Sequence, residues 1–151
     1  MATTFIDYKE DKGFYIHELF MQLAFLYIYE ELKKQEYNFI KKADLLYDCK
    51  SKIDGIHSSY FVLSWDDNLV GSDDEQQMIE LLKNVINNLQ AKGEFISVAE
   101  MQEMPTEDGH FKSVMDAPFP VSELLRIFNA LIEMLGGKWD STNYGMDIKW
   151  R

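Results

Sequence analysis

The chain contains one cysteine and three prolines, and it carries almost no positive charge through its middle third. Lone Cys49 cannot close an internal disulfide, and no neighbouring cysteine is available to build a zinc knuckle. A reducing cytoplasm is the simplest setting, and Cys49, set among helical apolar positions, reads as an inert buried thiol. There is no Pro-rich linker, no internal repeat and no low-complexity block, so residues 1–151 read as a single domain. A membrane span needs about 20 apolar residues with few charges. The most apolar stretch, residues 14–29, is interrupted by His17, Glu18 and Gln22. The N-terminus lacks the basic start, apolar segment and cleavage site of a secretory signal. Its charges at Asp7, Lys9, Glu10, Asp11 and Lys12 fit a solvated lead-in.

Lys and Arg number 15 against 26 Asp and Glu, a net charge of −11 at pH 7. Nucleic-acid phosphates and anionic membranes repel such a surface, so neither is an expected partner. Apolar residues make up 46% and aromatics 14%, which excludes a disordered chain. A chain of this length buries roughly two-thirds of its unfolded surface, enough for a true core.

No cofactor or metal signature survives inspection. His17-Glu18 opens like a zinc-protease helix, but Met21 stands where the second histidine must be. His57 and His110 have no ligand spacing to each other or to Cys49. Asp66, Asn68 and Gly71 imitate a calcium loop, yet the fifth place is Val70 and the twelfth is Gln77 instead of a bidentate glutamate. No glycine-rich loop precedes a helix to cradle phosphate, and Ser58-Ser59 has no nucleophile-elbow glycines.

The apolar spacing predicts about four helices packed on a small, mostly antiparallel sheet, an α+β fold. A central helix is expected over residues 14–34, apolar around most of its girth, with Glu18, Gln22 and Lys33 as a narrow polar strip. A second helix is expected over 41–54, stopped by Gly55. Residues 57–65, with Tyr60, Phe61, Val62 and Leu63, favour a strand. Ser72-Asp73-Asp74-Glu75 has capping-box spacing and opens a third helix lined by Met78, Leu81, Leu82, Val85, Ile86 and Leu89. Residues 94–98 fit a short strand, and Ser97 to Glu100 equally fits the start of a short helix. Residues 106–120 read as a loop with an Asp108-Gly109 turn, and a fourth helix spans 121–135. Alternation of Tyr144, Met146, Ile148 and Trp150 with Gly145, Asp147 and Lys149 predicts a half-buried C-terminal strand. The sheet is expected from these middle and C-terminal strands.

Charge distribution is the feature above background. Asp54, Asp66, Asp67, Asp73, Asp74, Glu75 and Glu80, then Glu94, Glu100, Glu103, Glu107 and Asp108, face only Lys83 and Lys92. Concentrated like charge costs folding free energy. The functional reading gathers these acids on one face that receives a basic protein, with Tyr60 and Trp65 as aromatic anchors beside Asp66, Asp67, Asp73, Asp74 and Glu75. The competing reading is a solvated face with Trp65 in the core. Size and charge match small acidic inhibitors of the immunity-protein type, which occlude a basic site without chemistry, and no cofactor is implied. The alternative is a hydrolase or transferase whose site gathers His17, His57 or His110 with carboxylates and Cys49. The sequence sets no oligomeric state.

Overall fold

A computed structural model describes residues 3–56 and 61–151. The fold is α+β, with seven helices, four of them long, and two small sheets among the described residues. The N-terminal lead-in is a hairpin: β1 (Thr3–Asp7) pairs antiparallel with β2 (Gly13–His17), Thr3 opposite His17 and Asp7 opposite Gly13. This corrects both the solvated lead-in and the helix start at residue 14. Thr4, Ile6, Phe14 and Ile16 point inward while Tyr15 is exposed, so the period is two and not 3.6. Gly13 is required by close approach, since a Cβ there would lie 1.9 Å from the Ile6 carbonyl oxygen.

Helix α1 (Glu18–Leu32) follows without a loop, and the Nδ1 of His17 caps it by accepting from the Leu19 amide at 3.2 Å. It packs against α2 (Lys42–Ile53), α4 (Gly71–Gln90) and α7 (Val121–Leu135), which explains its all-round apolarity. Gln22 belongs to no exposed strip. It is buried and donates to the Ile53 carbonyl (3.1 Å) and to Asp108 Oδ2 (2.9 Å). Gly55 ends α2 with φ +76°.

No strand forms over the described residues 61–64. The chain there is irregular, Phe61 and Leu63 are buried, and the Thr4 hydroxyl donates to the Phe61 carbonyl. The short α3 (Trp65–Asn68) comes next, and α4 begins one residue before Ser72, with Val70 at its N-cap. Both readings of residues 94–100 hold in succession: β3 (Phe95–Ile96) is followed by α5 (Val98–Gln102), whose Glu100 amide donates to the Ser97 hydroxyl at 3.1 Å. Asp108-Gly109 is a helix start and not a free turn. The Asp108 carboxylate accepts from the His110 and Phe111 amides and opens α6 (Gly109–Val114). β4 (Phe119–Pro120) pairs with β3, and α7 spans the range its apolar stripe predicts.

In the C-terminal segment β5 (Tyr144–Gly145) pairs parallel with β2, and the Met146 amide adds a bond to the Tyr15 carbonyl. The main sheet therefore has the order β1-β2-β5 and draws on the N-terminus, not on the middle of the chain. One continuous apolar cluster runs through all these elements except β5. Among the described residues no helix is long and apolar enough to cross a membrane.

Candidate protein-binding face

The tip of the β1–β2 hairpin folds onto the corner where α3 meets α4. The Lys9 amide donates to Asp66 Oδ1 at 3.2 Å, and Lys9 Nζ reaches Glu75 Oε2 at 2.9 Å. The same Glu75 oxygen accepts from the Tyr8 hydroxyl at 2.5 Å. Lys9, Glu10 and Asp11 all take left-handed backbone angles, φ 54°, 57° and 57°. Each such conformation costs a residue with a Cβ roughly 1–2 kcal/mol. The Asp66 and Glu75 bonds help hold this turn in place.

Three chain segments thus bring carboxylates together: Asp7 and Asp11 from the hairpin, Asp66 from α3 and Glu75 from α4, with Glu10, Asp67 and Asp73 close to them in sequence. Three lysines, Lys9, Lys12 and Lys41, are interspersed. Burial, with Asp66 and Asp11 close by, raises the Asp7 carboxyl above its ordinary range. The Tyr8 hydroxyl and Lys9 lower that of Glu75, and burial with the adjacent Glu75 pushes the Tyr8 phenol up. Among the described residues no cation pairs with the side chains of Asp67 or Asp73, both exposed.

Several expected site residues are placed otherwise. Trp65 is 2% exposed and packs at 6.2 Å from the Phe25 ring, so it is a core residue and not an anchor. Asp74 is 3% exposed, and its carboxylate accepts from the Val70 amide at 2.9 Å, which makes it part of the helix start. Tyr60, the other expected anchor, lies outside the described residues, as does His57. Exposed apolar surface at the corner comes instead from Val70, 39% exposed.

The twelve acids of the middle segment do not share one face. Helix α4 has 20 residues and is about 30 Å long, with Asp73 and Glu75 at one end and Glu94 beyond the other. Glu100 is held near that far end by Lys92 and Tyr27. Asp54 and Asp108 are taken up locally, Asp54 by Lys50 and the Glu107 amide, Asp108 by α6 and Gln22. The hairpin acids, read from the sequence as a lead-in, replace them at the corner.

Of the groups that an enzyme would combine, the described ones, Cys49, His17 and His110, belong to three different elements. Cys49 is buried, its thiol directed at the Phe25 carbonyl, and burial drives its pKa strongly upward. His17 caps α1, and His110 is exposed on α6. Among the described residues no cluster of three His, Cys, Asp or Glu side chains is arranged to hold a metal. No protein-family model, curated protein or solved structure matches the chain.

Proposed function

We propose that this chain is a small acidic protein-binding domain of the inhibitor type, which occludes a basic surface of a partner protein and performs no chemistry of its own. The observation that carries the reading is the convergence of acids from the hairpin tip, α3 and the start of α4 around the Lys9–Asp66 and Lys9–Glu75 bonds. Helix dipole and capping account for acids in the first turn of α4. They do not account for three consecutive left-handed residues, the first of which, Lys9, meets both Asp66 and Glu75. Backbone strain of this kind is retained where the surrounding structure enforces it, commonly at recognition sites. Negative potential on such a face accelerates encounter with a basic partner and rejects acidic ones.

The test is affinity capture from the native host with the wild-type chain and with a Asp67→Lys/Asp73→Lys variant. A basic protein should be retained at low salt, released at high salt, and lost with the variant. Retention of no basic protein, or equal retention by the variant, refutes the reading.

A further inference from the structure

Beyond the far end of the acidic corner, the C-terminal half of α1, the last turns of α4 and α5 border a groove of about 840 Å³, a volume within the range of small-ligand sites. Leu26, Val85 and Met104 give it an apolar lining. Its polar lining combines Lys34, Asn88, Lys92 and Ser97 with four carboxylates, of which Glu31 and Glu100 are fixed in place by neighbouring donors. Glu31, its side chain 5% exposed, accepts from the Tyr37 hydroxyl at 2.6 Å and from Asn88 at 3.3 Å. Glu100 accepts from the Tyr27 hydroxyl at 2.6 Å. Each already holds an alkylammonium group of this same chain: Lys34 Nζ stands 3.0 Å from Glu31, and Lys92 Nζ 3.2 Å from Glu100. Lys92 Nζ also lies 6.0 Å from the centre of the Tyr27 ring, at the outer limit of a cation–π contact.

The Lys34 and Lys92 side chains are 52% and 36% exposed, so water reaches both ammonium groups and either can be exchanged for another. Among the described residues no cation pairs with Glu103, which also lines the groove. Tyr27, which holds Glu100, and Glu31 are one helical turn apart on α1, roughly 6 Å. Two carboxylates that each hold an ammonium group therefore border the same groove. We propose that the groove is a binding site for a linear aliphatic di- or polyamine. Its methylenes lie on Leu26, Val85 and Met104, and its ammonium groups replace Lys34 at Glu31 and Lys92 at Glu100, with Glu103 supplying the uncompensated charge. The site is separate from the protein-binding corner and does not depend on that reading.

The experiment is calorimetric titration of the full chain with spermidine at low ionic strength. One saturable site is expected. Glu100→Gln/Glu103→Gln should weaken it about tenfold, equivalent to about 1.4 kcal/mol, while Asp44→Asn/Glu133→Gln, which removes two exposed acids outside the groove, should leave it unchanged. Glu103→Gln alone, at an exposed position that holds no structural bond, should still weaken binding if the double variant fails to fold. Lys92→Met should tighten binding by removing the internal competitor, and Lys138→Met should not. Non-saturating uptake, or equal effects of groove and control variants, shows counter-ion condensation on an acidic protein and overturns the proposal.

Discussion

The sharpest prediction concerns Lys52, a cation in the core. Its side chain is 5% exposed and bridges Asp48 one turn earlier on α2. The ammonium also lies 5.5 Å from the centre of the Phe25 ring and 5.6 Å from that of Phe61. Removing one member of a fully buried ion pair costs about 3–5 kcal/mol because the other charge is stranded. Here Asp48 is 29% exposed, so water reaches the pair, and the two rings continue to attract the ammonium by about 0.5–2 kcal/mol. Asp48→Ala should therefore cost about 2 kcal/mol. Lys52→Met keeps the stem's packing and removes the charge together with its desolvation, so it should lie within about 1 kcal/mol of wild type. In the Lys52→Met background Asp48→Ala should cost no more than about 0.5 kcal/mol, a double-mutant coupling of about 1.5 kcal/mol. Urea unfolding followed by circular dichroism gives all four free energies, provided the slopes agree. An Asp48→Ala penalty of the same size in both backgrounds would show that no stranded charge is involved.

Two further outcomes follow from the hairpin and from the helix it feeds. Glu10→Gly places glycine at a left-handed position and removes only an exposed ion pair, so stability should rise by about 0.5–1 kcal/mol. The corresponding increase in Tm is roughly 1–4 °C by calorimetry; a fall would mean that the turn is unstrained. His17 accepts through Nδ1 and must be neutral to do so, and burial lowers its pKa in the folded state below the ordinary value. The unfolded chain therefore binds the proton more readily, and the cap's contribution is present above about pH 6.5 and lost as pH falls through the depressed folded value. A cap is worth about 1 kcal/mol at most here. His17→Asn keeps a neutral acceptor, so the stability difference between wild type and His17→Asn should shift against wild type from pH 7 to pH 5. A difference that stays constant over that interval contradicts the capping role.

Helices were legible wherever one apolar stripe ran long enough to exclude the other period. Leu124, Phe128, Leu131 and Leu135 define α7, and Met78, Leu82, Val85 and Leu89 define α4, from spacing alone. Ile16 was ambiguous because it continues the helical stripe through Leu19 and Leu23 and also alternates with Phe14 across one exposed residue, and five residues cannot separate the two periods. The hairpin turn hid itself further, since Lys9, Glu10 and Asp11 occupy conformations that usually announce themselves with glycine or asparagine. Trp65 misled through adjacency: it precedes Asp66 in the chain, yet its ring faces Phe25 while the aspartate faces the hairpin. The corner itself is made by contacts more than 50 residues apart, and no local pattern encodes them. Its only sequence trace was an excess of acid that capping could not absorb.

The parallel pairing of β2 with β5 has a consequence during synthesis. Gly13 and Tyr15 receive their outer partners from Ser141, Trp139 and Met146, near the far end of the chain. At ribosomal speeds of about 5–20 residues per second, roughly 6 to 26 seconds separate the emergence of the two strands. Throughout that interval the nascent hairpin presents a bare strand edge with Phe14 and Ile16 uncovered, a template for chain-to-chain association. Chaperone occupancy of the growing polypeptide should therefore concentrate on this hairpin and end when the last segment zips into place.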